Sequence, residues 1–177
     1  GANKTVKVYR SAYGNYPEYD DAPGAGSVPP IPSYPPPATW QLTGVDASGG
    51  ADEVTTRNLW YYVAFVQDQY GTISPASNRA GGVLNYHLGD VSDGATPALG
   101  DNKVDMSDIT LLGAHYGITG TAVAAYDYLD VGPTTNHSVD GRPMTDNSID
   151  FEDLVMFAIN YNIVSAPQAG SRPARVA

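Results

Sequence analysis

The sequence predicts an α+β chain, and three observations predict it. Short runs of alternating apolar and polar residues occupy the first half, Pro and Gly punctuate them, and the second half writes one loop-then-helix phrase twice. That phrase is DNKVDMSDITLLGAHYGI at 101–118 and DNSIDFEDLVMFAINYNI at 146–163. Aligned without gaps, the copies share Asp101/Asp146, Asn102/Asn147, Asp105/Asp150, Asp108/Asp153, Tyr116/Tyr161 and Ile118/Ile163. Such a duplication fixes the plan of whatever contains it and is read first.

The strands come first in chain order. TVKVYRSAYG at 5–14, TWQLTGVDA at 39–47 and LWYYVAFV at 59–66 alternate as half-buried strands do. In the third, Tyr61, Val63 and Phe65 fall on one side. A turn at Gln69-Tyr70-Gly71 then leads into a further strand with a Ser/Pro-rich exit, TISPASN. APGAGSVPPIPSYPPPA lies between the first two strands and reads as an extended segment, because Pro has no N–H to give a central strand.

Composition limits the rest. The chain of 177 residues has room for one large or two small domains, and it has no Cys, so disulfides and thiolate metal sites are excluded. No run reaches the eighteen or so apolar residues of a membrane helix, and GANKTVKVYR has no signal-peptide core, so a soluble chain, mature or excised from a longer one, is expected. The net charge of −10 is localised: residues 90–153 hold twelve of the nineteen carboxylates and only Lys103 and Arg142 as cations. Outside that segment seven acids balance seven bases. A field of this sign argues against nucleic acid and anionic membranes and for cations.

Ca²⁺ takes six to eight oxygens, and a twelve-residue loop supplies them from positions 1, 3, 5, 7 (a backbone carbonyl), 9 and 12. Counting back from the last Asp puts Asp101 at 5, the carbonyl of Lys103 at 7, Asp105 at 9 and Asp108 at 12. The second copy gives Asp146, the carbonyl of Ser148, Asp150 and Asp153. Asn102 and Asn147 fill the sharp turn at position 6, where a residue tolerant of positive φ is needed, and Val104 and Ile149 fill the apolar position 8. Asp90 and Asp130 are the expected first ligands, which implies insertions of seven and twelve residues before position 5. Ser92 or Asp93 serves position 3 in the first copy. Gly132 has no side-chain oxygen, so water or an inserted residue such as Asp140 serves it in the second.

A helix should leave each loop. Asp105 and Asp150 can cap it, with Asp108 and Asp153 in the first turn. Ile109, Leu112 and Tyr116 form one apolar stripe; Leu154, Phe157, Ala158 and Tyr161 form its counterpart; Gly117 and Asn162 stop the two helices.

The doubled loop and helix, opened by GDV and closed by V-D-x-x-D-I, resembles a type I dockerin over about residues 88–163. That resemblance implies two bound Ca²⁺ ions, a secreted bacterial setting and a cohesin-like protein partner met through Met106-Ser107 and Phe151-Glu152, loop positions 10 and 11. The order VYRS, W-x-L, YYVAFV-x-D-x-x-G-x-x-SPAS over 5–80 resembles the C, E, F and G strands of a fibronectin type III domain. The expected organisation is therefore a partial fibronectin III-like β-sandwich at 1–82, a small dockerin-like module of two calcium loop-helix repeats at 83–165 and a tail at 166–177. With no strands ahead of the C-like one, the inward sheet face needs a cover. The candidates are the Pro-rich segment, the calcium module or a strand from another chain, and C-terminal NIVSAPQAGSRPARVA at 162–177 is a possible donor.

No H-E-x-x-H, G-x-S-x-G or phosphate-cradling glycine loop is present, and the acidic pairs have metal-loop spacing, so no catalytic residue is assigned. The expectation is a noncatalytic, calcium-stabilised extracellular or cell-surface assembly module. It is either an anchor for a cohesin-like domain or a filament subunit whose sandwich a copy of itself completes. The alternative is a carbohydrate-binding accessory module of a secreted enzyme, using Trp40, Trp60 and the tyrosines as a stacking platform for glycans.

Overall fold

The computed structural model describes residues 4–14 and 26–163. Of the possible donor segment NIVSAPQAGSRPARVA at 162–177, residues 164–177 lie outside them. Strands β1 (Thr5–Ala12), β2 (Gln41–Leu42), β3 (Leu59–Gln67) and β4 (Ala80–Leu84) form one antiparallel sheet in the order β2-β1-β3-β4. Helices α1 (Met106–His115) and α2 (Phe151–Asn160) follow, separated by two 3₁₀ segments, Gly120–Ala125 and Asp127–Leu129. The chain is thus α+β.

β3 is one of the two inner strands of the sheet, and aromatic and β-branched residues fill most of it. It pairs with β1 from Thr5↔Gln67 to Ala12↔Trp60. After β3 the Asp68 carboxylate accepts from the N–H groups of Tyr70 and Thr72, both at 2.9 Å, and so closes the expected turn. The returning chain does not form a regular strand at once. Pro75 cannot donate, and Ser74 and Ser77 compensate: their N–H groups donate to Val66 O and Ala64 O, and their hydroxyl oxygens accept from Val66 N and Ala64 N.

The E-strand reading of 39–47 is corrected. Thr43 donates its N–H (2.8 Å) and its hydroxyl (3.0 Å) to Val8 O, which holds Gln41 and Leu42 against Tyr9 and Arg10. This stretch is therefore an edge of the same sheet, whereas an E strand belongs to the layer opposite C, F and G. Among the described residues there is no second sheet.

The face carrying Tyr61, Val63 and Phe65 is nevertheless buried, with Phe65 fully inaccessible. Of the three expected covers, the Pro-rich segment supplies one. Tyr34 packs edge-on against Phe65 with ring centroids 5.3 Å apart, and Tyr9 does so at 5.7 Å. Lys7 Nζ donates to the Tyr34 hydroxyl, Arg79 Nη1 donates to Pro29 O, and Pro29 and Pro32 are buried. Extended prolines suit this task because they bury carbon without stranding N–H groups.

The core continues from the sheet into the repeats through Leu84, Tyr86 and Leu88, which join Val104, Leu112, Leu129, Ile149 and Phe157 in one cluster. Gly89 takes φ +92° in this joint, and a Cβ there would stand 2.9 Å from the Phe157 ring, so the linker lies directly on α2. Asn160 Nδ2 fastens it by donating to Leu88 O at 3.0 Å.

The helix stripes differ in part from expectation. Leu112 and Phe157 are buried as predicted, and Ile109 and Leu154 pack against the cluster. Tyr116 and Tyr161 are 50% and 37% exposed, and Ala158 is exposed, while Met156 and Asn160 are buried instead. The physical reason lies in the backbone. At 116–118 and 161–163 the chain leaves each helix to hydrogen-bond the opposite loop, so main chain and not tyrosine ring makes the contact: Gly117 N donates to Ile149 O, and Asn162 N donates to Val104 O, both at 2.8 Å. The two repeats thereby exchange equivalent bonds about a pseudo-twofold axis.

Candidate functional site

In both repeats the first acid reaches back to loop N–H groups across the insertion. In the first, the Asp90 carboxylate accepts from the N–H groups of Asp101 (2.8 Å) and Asn102 (2.9 Å). In the second, Asp130 accepts from Asp146 (3.3 Å) and Asn147 (2.8 Å). The inserted residues close on themselves through the bridges Ser92↔Pro97 and Thr134↔Pro143, which brings position 1 back beside positions 5 and 6. Asn102 and Asn147 take φ +72° and +61°, as the turn at position 6 demands.

The last acid of each loop has two tasks. Asp108 accepts from Val91 N and Ser92 N at 2.8 Å, and its other oxygen accepts from Asp105 N at 2.8 Å. Asp153 repeats this with Val131 N (2.7 Å), Gly132 N (2.9 Å) and Asp150 N (2.8 Å). Asp105 and Asp150 are the N-caps of α1 and α2, and each forms a reciprocal capping box with the acid three residues on.

The four terminal acids, Asp90, Asp108, Asp130 and Asp153, are all at most 2% exposed. The middle acids are elsewhere: Asp101 and Asp146 are exposed, and Asp105, Asp150, Lys103 and Ser148 are partly buried. Ser92 is buried, and its hydroxyl oxygen accepts from Gly94 N. Asp93 caps the inserted turn by accepting from Ala95 N and Thr96 N, while Asp140 is exposed. Among the described residues no three acidic or histidine side chains are drawn together into a ready-made ion cage.

The electrostatics of the two loops diverge. In the first, Arg57 Nη2 donates to Asp90 Oδ2 at 2.6 Å and Nη1 donates to the Asp90 carbonyl at 2.7 Å, with the Arg57 side chain 3% exposed. Burial pushes the Asp90 carboxyl up to about 6, against the pull of Arg57 and the loop N–H groups. In the second loop, burial and the neighbouring Asp153 push Asp130 up to about 7, and burial raises Asp153 to about 6. Among the described residues neither Asp130 nor Asp153 forms an ion pair. Asp105 moves the other way, to about 2, because the Ser107 N–H and Lys103 stabilise its charge.

Arg57 is the participant that motif reading missed. It precedes Asp90 by 33 residues, in TTRNLW, where no spacing or periodicity points to the loop. Trp40 and Trp60, the expected stacking platform, are 4% and 8% exposed and belong to the packed interior. No protein-family model matches the chain, and neither a curated protein nor a solved structure does.

Proposed function

We propose that the chain is a noncatalytic, calcium-stabilised assembly module that works outside the cell, its repeated half acting as a dockerin-like anchor for a cohesin-like protein partner. The observation that carries this reading is the paired construction of the loops, in which equivalent acids grip equivalent backbone groups and the helices start from equivalent caps. Met106 and Phe151 support the choice of partner. They open α1 and α2 at matching positions and are 60% and 66% exposed, so each repeat offers an apolar side chain on its leading turn.

The second loop suits a hard divalent ion. Asp130 and Asp153 are buried, mutually repelling and without a cation among the described residues, and Asp146, Asp150 and the carbonyl of Ser148 stand in the same loop. These residues would hold the ion, which would neutralise the acids and cross-link the loop through oxygen. The first loop (Asp90, Ser92, Asp101, Lys103, Asp105, Asp108) fits less well, because a guanidinium already rests on Asp90. No helix among the described residues is long and apolar enough to cross a membrane. The anchor reading is favoured over the filament reading because the Pro-rich segment already covers the face that a neighbour's strand would fill.

The test uses the full chain. Its melting temperature is measured in millimolar Ca²⁺ and in EGTA, and capture of a panel of cohesin-type domains is measured in both. A rise in melting temperature with Ca²⁺, together with calcium-dependent capture, is expected. Indifference to chelation sinks the proposal.

A further inference from the structure

The duplication predicts one ion per loop, but the first loop already contains a positive charge supplied by the protein. Arg57 stands just ahead of β3, and its guanidinium makes two bonds to one residue: Nη2 to the Asp90 carboxylate (2.6 Å) and Nη1 to the Asp90 carbonyl (2.7 Å). Both partners are nearly sealed from water, at 3% and 0% side-chain exposure. The approach is so close that a Cβ at Gly100 would collide with Arg57 Nη2 and with the Asp90 carboxylate, so Gly100 is the residue that admits the guanidinium. The Tyr86 ring lies 4.8 Å from the guanidinium carbon and closes the other side. The equivalent acid of the second loop, Asp130, has no such partner among the described residues.

From this asymmetry we infer that Arg57 is the built-in counter-charge of the first loop, so that the chain takes one divalent ion, in the second loop, and uses the first as a metal-independent joint between the sheet and the repeats. The inference rests on the calcium reading for the second loop and on geometry alone for the first. Asp90 needs a cation because it is a buried carboxylate, and Arg meets that need with a planar fork that satisfies carboxylate and carbonyl together. Asn58 and Asn85 brace the same place: Asn58 N donates to Asn85 Oδ1 at 2.9 Å, and Asn85 Nδ2 donates to Val54 O and Thr56 O. The segment that enters β3 is thereby tied to the linker that leaves β4, and Arg57 ties both to the first loop.

Two measurements on the full chain decide it. Titration calorimetry with Ca²⁺ is expected to give one ion per chain, and two ions in the unmodified protein overturn the inference while leaving the calcium module intact. In EGTA, a double-mutant cycle is run with Arg57→Met and Asp90→Asn. Arg57→Met leaves the acid buried and alone, and is expected to lower the melting temperature by about 10 °C or more. The double variant is expected to lose markedly less than the two single losses added together, and simple additivity overturns the joint. Arg57→Lys keeps the charge without the fork, is expected to recover part of the loss, and provides a folded variant if Arg57→Met does not fold. A count of zero ions removes the calcium reading of the second loop, and the cycle alone then decides for or against the arginine.

Discussion

The two loops solve the same problem with different charges. Each buries a first and a last carboxylate, and each uses them to gather the N–H groups of a loop carrying a long insertion. In the first loop a guanidinium pairs with the first acid, Asp90, whereas in the second neither Asp130 nor Asp153 forms an ion pair among the described residues and the charge of Asp153 bears on Asp130. The comparison teaches that a duplicated backbone plan does not duplicate its electrostatics. Hydrogen-bond geometry is set locally within twenty or so residues, but the counter-charge comes from wherever the tertiary fold delivers one.

The largest expected effect tests the shared half of the comparison. Asp108→Ala and Asp153→Ala each strand three backbone N–H groups and a cap, and each should lose about 2–4 kcal/mol by urea unfolding in EGTA. A silent substitution in either loop would break the claim that the two are built alike.

Next in size is the charge difference. Burial, with the neighbouring Asp153, pushes Asp130 up to about 7, and burial pushes Asp153 up to about 6, above the ordinary value of 3.8. The folded chain therefore holds protons that the unfolded chain has released between about pH 4 and pH 7, and stability in EGTA should fall as pH rises from about 4 to about 7 and level off above it. Saturating Ca²⁺ should abolish that fall and add about 2–3 kcal/mol at pH 7.5, read as a melting-temperature rise. Asp130→Asn should make the pH profile in EGTA shallower and remove the calcium response.

Smaller again is the cost of the left-handed turns. Asn102→Ala and Asn147→Ala should each destabilise by about 1 kcal/mol, and the Gly variants should be close to neutral, since φ +72° and +61° strain a Cβ-bearing residue that lacks a compensating amide. The smallest effect on stability is at the surface. Met106→Ala and Phe151→Ala should shift unfolding by less than about 0.5 kcal/mol, and only partner capture should respond.

Much of the repeated half was legible because its signals are local. The caps at Asp105 and Asp150, the positive-φ turns at Asn102 and Asn147 and the helix stops at Gly117 and Asn162 follow from spacing, whereas Asp90 and Asp130 lie outside regular loop spacing and reach the loop N–H groups only across insertions. What did not follow were contacts between segments far apart in the chain. Nothing near Arg57 points to Asp90, and nothing in a Pro-rich stretch says that its Tyr34 will meet Phe65. Strand existence at 39–47 was readable, but its place beside β1 was not, because two residues of pairing carry no register signal of their own. The stripe error at Tyr116 and Tyr161 has the same origin: helical periodicity was extended into residues whose main chain is claimed by the opposite repeat.

The exchange of main-chain bonds across the pseudo-twofold axis bears on how the protein is made. The carbonyl of Val104 waits for the N–H of Asn162, so during synthesis the first repeat has no finished partner until the last turn of the second has left the ribosome. A premature stop anywhere in α2 therefore leaves two unfinished halves, not one working repeat and one broken one.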